Sequence, residues 1–236
     1  MREGKKGLRN AAILATVLIV TIVVTRQNRE DMAGENAEVT DVETGEQETV
    51  TEPDSTKQCG DYCYETRLDD TVEITAYMGD ETVIYIPSYI EDKKVTTICP
   101  GAFKDNGTVQ RIYIPQGVEE IMEEAFAGCS ALQDIYISES VKRIGERAIA
   151  DCPLIEEIVF PKELSRIENK VCQGDTALKQ IMVQQNVSEI ADDAFTGCEA
   201  LRLVYGESKF VEEYAQMNGL VYVDFSRIRE EGNLVW

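Results

Sequence analysis

The sequence predicts a β-rich solenoid, a stack of equal coils that contribute short parallel strands to one elongated core. Hydrophobic residues recur at a fixed step of 23 residues through the middle of the chain, and a constant internal period of this size is typical of solenoids. One column of the period contains Ile98, Ile121, Ile144, Ile167 and Ile190. Another contains Ile112, Ile135, Ile158, Ile181 and Val204. We therefore expect each coil to bury the same positions against its neighbours.

Five repeats fill residues 95–209, and the second of them, 118–140, shows their internal order. A short extended piece at Ile121 comes first. A compact segment follows, predicted to be a one-turn helix, and it ends at Gly128 in a left-handed conformation. A second strand, centred on Ile135, then alternates core-facing and outward-facing residues.

The segment before the repeats, residues 59–94, is predicted to be an N-terminal β-hairpin cap. Two alternating runs, Val72–Tyr77 and Thr82–Ile86, flank a turn that contains Gly79, which is the pattern of a β-hairpin. A terminal unit with its own composition is expected, because it must cover the open end of the core.

The segment after the repeats, residues 210–225, is predicted to be a C-terminal cap. An amphipathic helix over Phe210–Met217 is followed by a strand over Leu220–Phe225. Residues 226–236 form a tail that we expect to be disordered.

The N terminus predicts export. Four basic residues precede Ala11–Thr25, a run of 15 residues without a charge, and this order is typical of an export signal. As a helix the run covers about 22 Å, less than the hydrocarbon core of about 30 Å. Residues 1–25 are thus expected to be a cleaved signal peptide or an uncleaved signal-anchor helix that touches the membrane through this segment only, with a buried helix as the third alternative. Residues 26–58 are predicted to be an acidic disordered linker.

Composition excludes several classes of function. The formal net charge of −21 disfavours nucleic-acid binding, which needs a basic footprint. The chain contains no histidine, the commonest general base and metal ligand. Neither a catalytic motif nor a cofactor-binding motif is present. We therefore expect no enzyme activity, no cofactor and no metal.

The repeat pattern V-x-x-I-x-x-x-A-F-x-G-C-x-x-L-x-x-I-x-I-P resembles the BspA-like leucine-rich repeat family, from about Tyr64 to Phe225. The resemblance implies a leucine-rich-repeat solenoid on or outside a bacterial cell, with a role in adhesion or partner binding and no general catalytic residues. Ile149, Val171-Cys172 and Asp175 depart from the pattern. The fourth repeat is accordingly expected to be less regular.

An outward-facing column between the core positions of the second strand is the candidate binding site. Tyrosine, methionine and arginine are enriched where proteins bind partners, although such residues also favour strands for their packing alone. The predicted column is Tyr85, Tyr113, Tyr136, Val159, Met182 and Tyr205, bordered by Arg111 and Asp134.

The cysteines suggest one possible disulfide outside the repeats and one repeat column with two alternative interpretations. Cys59 and Cys63 lie outside the repeats in a predicted exported region and are a possible disulfide pair. Cys129, Cys152 and Cys198 share a repeat column. That column is either a buried ladder of small side chains or the site of a Cys129–Cys152 disulfide.

Two functions remain open at this point. The first is a non-catalytic exported protein that recognises a protein or glycan ligand through the exposed face of the parallel sheet. The second is a structural or self-associating spacer of the cell envelope.

Overall fold

The 23-residue columns of the sequence become rungs of parallel strands. The computed structural model describes residues 56–224. The predicted signal segment, most of the acidic linker and the tail lie outside the described residues. The elements are β1 Lys57–Cys59, β2 Tyr62–Thr66, β3 Val72–Tyr77, β4 Val83–Tyr85, β5 Tyr89–Ile90, β6 Lys93–Ile98, β7 Arg111–Tyr113, β8 Glu120–Ile121, β9 Asp134–Tyr136, β10 Arg143–Ile144, β11 Glu157–Val159, β12 Arg166–Ile167, β13 Gln180–Val183, β14 Glu189–Ile190, β15 Leu203–Gly206, α1 Lys209–Met217 and β16 Val221–Asp224.

Each coil contributes one strand to each of two sheets. The front sheet consists of the ladders β4-β7-β9 and β11-β13-β15-β16. The rear sheet consists of β1-β2-β3-β6-β8-β10, with β5 beside β6, and of the pair β12-β14. Ile121 lies beside Ile144 in a parallel rear rung, and Ile112 lies beside Ile135 in a parallel front rung. The predicted β-solenoid with short parallel strands is confirmed.

The inward side chains of both sheets form one hydrophobic cluster that runs from Tyr64 to Ala215. Ile98, Ile121 and Ile112 are fully buried in it. Burying a side chain of this size stabilises a fold by about 1.5–3 kcal/mol. The repeated isoleucine columns therefore contribute substantially to the stability of the coils.

The compact segments of the repeats are hydrogen-bonded turns, so the prediction of one-turn helices is wrong. The amide of Ala125 donates to the Met122 carbonyl within the same coil at 3.3 Å, whereas the amide of Phe126 donates to the Ala148 carbonyl of the next coil at 2.8 Å. A helix needs its amides for bonds within the segment. Here alternate amides bond to the neighbouring coil, which links the coils at this edge as well.

The predicted pairing of Val72–Tyr77 with Thr82–Ile86 is also wrong. Strand β3 pairs with β2 and β6, and β4 pairs with β7. Ile74 lies beside Ile98 in the rear sheet, and Ile84 lies beside Ile112 in the front sheet. The two runs therefore form a further turn of the solenoid, because their isoleucines fill the same two rungs as those of later coils. The antiparallel pairs at this end are β1 with β2, β2 with β3, and β5 with β6.

Helix α1 and strand β16 cover the last coil. The Ser208 hydroxyl caps the helix by accepting a hydrogen bond from the Val211 amide, which satisfies one of the free amides of the first turn. Val211, Tyr214 and Ala215 form the buried face of the helix, and β16 extends the front sheet in parallel with β15. None of the helices within residues 56–224 has the length and apolarity needed to cross a membrane.

The cysteine column is a ladder of buried free thiols. Cys129 donates to the Phe103 carbonyl at 3.2 Å, and Cys152 donates to the Phe126 carbonyl at 3.3 Å. Each thiol thus reaches back to the preceding coil, as the packing interpretation requires, and the Cys129–Cys152 disulfide is not formed.

Cys59 and Cys63 are also free thiols, so the predicted disulfide between them is not formed. In the β1–β2 hairpin, Cys59 lies opposite Tyr62, and Cys63 lies opposite Gln58. Successive residues of a strand point to opposite faces. The two thiols therefore lie on opposite faces of the hairpin and do not meet.

Asp175 occupies the cysteine column in the fourth repeat and is fully buried. One carboxyl oxygen accepts a hydrogen bond from the Cys152 amide at 2.7 Å, and the other has no partner within the described residues. Burial, with a smaller contribution from the Asp151 carboxylate, raises the pKa of Asp175 to about 8. Its neighbours in the column are Cys152 and Cys198, and the buried thiol of Cys172 also lies close to it.

This burial predicts a pH-dependent stability. An unfolded aspartate has a pKa of about 3.9, so the folded state holds its proton more tightly. The resulting stabilisation is complete below about pH 4 and is lost as the pH rises through about 8. We expect Asp175→Asn, which keeps the acceptor for Cys152 without a charge, to reduce this loss. The free energy of unfolding, measured with urea from about pH 5 to pH 8, checks this expectation. The same change of this free energy with pH in both proteins would contradict it.

The contact between the second and third repeats predicts an effect of Gly145→Ala. A Cβ at Gly145 would lie 2.7 Å from the Glu123 amide nitrogen and 2.8 Å from the Met122 carbonyl carbon. The coils must separate to admit it, and overpacking of this kind costs about 1–3 kcal/mol. Gly107→Ala is the matched control, since its Cβ would meet only the Ser130 hydroxyl at 3.6 Å. Thermal unfolding with equal midpoints for the two variants would refute the steric account.

Candidate binding surface

The outward face of the front sheet carries a stack of three tyrosines. Tyr85, Tyr113 and Tyr136 follow one another on β4, β7 and β9. Their ring centroids are 4.5 Å apart at both steps, with interplanar angles of 7° and 5°. Neighbouring strands are separated by about 4.7–4.9 Å, so the strand spacing itself brings the rings into contact. The predicted aromatic column exists as a stack.

This tyrosine stack is open to solvent at both ends. Tyr85 is 69% exposed and Tyr136 is 50% exposed, while Tyr113 between them is half-buried. Each aromatic pair contributes about 0.5–1.5 kcal/mol beyond its buried area. The rings therefore hold one another in place and still expose apolar surface to solvent. They form a contact area that is ordered before any ligand binds.

The second half of the predicted column is less exposed. Val159 is 37% exposed and Tyr205 is half-buried, but Met182 is only 8% exposed. Met182 lies beside both residues in its ladder and is enclosed between them. The prediction of a continuous exposed column is wrong at Met182. The accessible aromatic surface is concentrated on β4, β7 and β9, the first three strands of the front sheet.

The two front ladders separate between β9 and β11. At other coil junctions a strand amide bonds back to the preceding coil, as Asp134 does to the Gln110 carbonyl at 3.2 Å and Gln180 does to the Glu156 carbonyl at 3.3 Å. Within the described residues, Glu157 makes no such bond to Gln133, and β9 and β11 are not paired.

Repulsion between two carboxylates, Asp134 on β9 and Glu157 on β11, explains this separation; we call their shared position the like-charged rung. In the ladder before it, Arg111 donates to the Asp134 carboxylate at 3.0 Å. In the ladder after it, Gln180 donates to the Glu157 carboxylate. Asp134 and Glu157 occupy equivalent positions 23 residues apart, so pairing β9 with β11 would bring two carboxylates together. Like charges directly opposite each other destabilise a ladder.

The separation leaves an open cleft of about 500 Å³, lined by Gln133, Asp134, Leu154, Glu156 and Glu157. Leu154 is 47% exposed because it stands where the neighbouring repeats have Ala131 and Ala177. Sequence analysis missed this cleft. The signals were present in the columns, as a leucine among alanines and as two successive carboxylates.

The outward face of the rear sheet carries balanced charge. Arg166 donates to the Glu189 carboxylate at 3.2 Å between the paired strands β12 and β14. Arg143 lies beside Glu120 in the ladder, but its guanidinium pairs with Glu123. Exposed pairs of this kind contribute about 0–1 kcal/mol each. This face therefore offers neither an apolar patch nor unbalanced charge.

The described part of the chain offers little support for a catalytic or metal-binding site. Residues 56–224 contain no cluster of three or more Asp, Glu, Cys or His side chains placed to hold a metal. Asp175, the carboxyl with the pKa of about 8, has no exposed surface. Burial also raises the pKa of the Cys198 thiol to about 12, so it is not a thiolate at neutral pH.

Stacked coils of equal length, an exposed parallel sheet and end caps define a leucine-rich-repeat solenoid. Residues 96–217 match the BspA type leucine rich repeat region in six copies, slightly more than half of the chain. The chain belongs to this family. A comparison of this chain with curated protein sequences found no match.

Solved structures of bacterial leucine-rich repeat proteins have a similar fold. A leucine-rich repeat protein from T. pallidum is 27% identical, with a TM-score of 0.60 over 63% of this chain and 70% of that one. A leucine-rich cell surface protein from Faecalibacterium prausnitzii is 24% identical, with a TM-score of 0.62 over 68% of this chain and 42% of that one. The chain thus spans less than half of the F. prausnitzii protein, and that likeness concerns the fold alone.

The like-charged rung predicts that Glu157→Gln stabilises the protein. Removing one of two facing carboxylates is worth a few tenths of a kcal/mol, and the gain should shrink in high salt because salt screens exposed charges. Glu156→Gln is the matched control: Glu156 pairs with Lys179 at 2.6 Å, so its loss should not stabilise. Thermal unfolding at low and high salt measures both. A lower midpoint for Glu157→Gln at low salt would refute the explanation.

Proposed function

We propose that this protein is a non-catalytic, exported binding protein that recognises a protein or glycan ligand through the front sheet. The observation that carries the proposal is the stack of Tyr85, Tyr113 and Tyr136, which is ordered by its own contacts and yet exposed at both ends. Large exposed apolar surfaces on soluble domains commonly mark interaction sites. Rigid tyrosines supply contact area at low cost in conformational entropy.

Export and surface display belong to the same proposal. The basic N terminus and the apolar run Ala11–Thr25 favour a secretory route, and the family match is consistent with a bacterial surface protein. In this proposal residues 1–25 direct export and, if retained, anchor the chain. The acidic linker then carries the solenoid away from the membrane.

A structural or self-associating role in the cell envelope is the second candidate. Strand β16 forms the C-terminal edge of the front sheet, and its first residue, Val221, is 58% exposed. A terminal strand of a sheet with exposed apolar side chains is a site where another strand can pair. This feature favours contacts between copies, whereas the tyrosine stack favours a different partner.

The recognition role predicts that Tyr113→Ser with Tyr136→Ser abolishes partner binding. Both stacking contacts are lost, at a cost to folding of about 1–3 kcal/mol, and the contact surface is lost with them. Tyr89→Ser is the matched control, since Tyr89 is 63% exposed but lies on β5, outside the front sheet. The immobilised full chain would capture partners from the medium and cell-surface fraction of its own cells, and the captured partner's affinity would then be measured for each variant.

Two results would count against recognition through this face. One is a Tyr113/Tyr136 variant that stays folded and keeps its affinity for the captured partner. The other is a wild-type chain that captures no partner and forms oligomers that grow with concentration in light scattering, as the second candidate requires.

A further inference from the structure

We propose that the cleft between β9 and β11 binds an arginine side chain from a basic, extended segment of a protein partner. This inference rests on the proposed recognition role of the front sheet and names the chemistry of its partner. The cleft adjoins the tyrosine stack, because Asp134 and Tyr136 lie on the same face of β9, two residues apart. A ligand that contacts the stack therefore reaches the cleft without leaving the front sheet.

The charge of the cleft is complementary to a cation. Its lining contains three carboxylates, from Asp134, Glu156 and Glu157, and no basic residue. Two of these already have cationic partners: Arg111 contacts Asp134 at 3.0 Å, and Lys179 contacts Glu156 at 2.6 Å.

The third carboxylate is different. Within residues 56–224, Glu157 forms no ion pair, and its carboxylate accepts a hydrogen bond from the side-chain amide of Gln180. A carboxylate accepts at several lone-pair sites, so Glu157 can still accept hydrogen bonds from a ligand. A guanidinium between Glu157 and Asp134 would also cancel the repulsion that keeps the two front ladders apart.

Apolar surface in the cleft, and beside it at Tyr136, matches the remainder of an arginine side chain. Leu154 protrudes into solvent, 47% exposed, and offers a surface for the three methylene groups of the stem. Tyr136 stands beside the cleft lining, on the same strand as Asp134, and ends the tyrosine stack; among the rings of residues 56–224 no other one stacks on its face turned away from Tyr113. Planar guanidinium groups stack on such faces, which an ammonium group does less well.

A neutral glycan fits the cleft less well than a basic segment. A neutral sugar hydroxyl can donate to a carboxylate but brings no charge to neutralise it, whereas a guanidinium forms an ion pair and can donate two parallel hydrogen bonds to one carboxylate. The chain carries a net charge of −21, which attracts cationic partners at long range. Both the local and the overall charge thus favour a basic polypeptide.

The test uses the full chain and a fluorescent ten-residue peptide of alternating glycine and arginine, followed by fluorescence anisotropy at low and physiological salt. We expect saturable binding that weakens with salt, and weaker binding of the corresponding glycine–lysine peptide. Glu157→Gln should lower the affinity at least fivefold, and Leu154→Ala, which restores the residue of the neighbouring repeats, at least twofold. Since Glu157→Gln is expected to stabilise the fold, unfolding does not account for its loss of binding.

Glu199→Gln is the matched control, because Glu199 is exposed in the fifth repeat and precedes β15. It should leave the affinity unchanged. Equal losses in the Glu157 and Glu199 variants would overturn the inference by showing general attraction to an acidic surface. It would likewise be overturned if the peptide failed to bind, or if a neutral oligosaccharide such as maltohexaose bound in the cleft instead. In these cases the Tyr113/Tyr136 variant still tests the proposed function separately, with the captured natural partner.

Discussion

Equal coil length is the constraint on which the structure depends. Because each of the five repeats in residues 95–209 is 23 residues long, residues in one column become neighbours on adjacent strands, and a favourable residue is repeated as a favourable contact. Ile121 beside Ile144 in the rear sheet and Tyr113 beside Tyr136 in the front sheet follow from the same register. The core and the aromatic stack are therefore two consequences of one repeat, one facing inward and the other outward.

The same register explains how the stack tolerates local faults. The front ladder is interrupted between the second and third repeats, where the rear strands β8 and β10 remain paired. The rear ladder is interrupted between the third and fourth repeats, where the front strands β11 and β13 remain paired. Each junction thus keeps one ladder, and the hydrophobic cluster continues through both. A like-charged rung can then open a cleft on one face without dividing the core.

Sequence periodicity was sufficient to predict the solenoid, the buried columns, the strand register and the outward position of the tyrosines, because these depend on spacing alone. It did not predict features that depend on competition between partners. The runs at Val72–Tyr77 and Thr82–Ile86 resemble a hairpin locally, but their isoleucines are better buried in two different sheets. The alternation of inward and outward residues along the strand places Met182 on the outward face, but its neighbours nonetheless enclose it. To predict the cleft, one must compare equivalent positions of successive repeats and see that both carry a carboxylate, which a single repeat does not reveal.

Contacts between methyl groups of successive coils test the central claim most directly. In methyl-labelled full-length protein, nuclear Overhauser effects should connect Ile98 with Ile121, Ile121 with Ile144, and Ile112 with Ile135, since each pair occupies one rung. Cross-peaks confined to residues of the same repeat, with none between these pairs, would contradict a continuous stack of coils with a shared core.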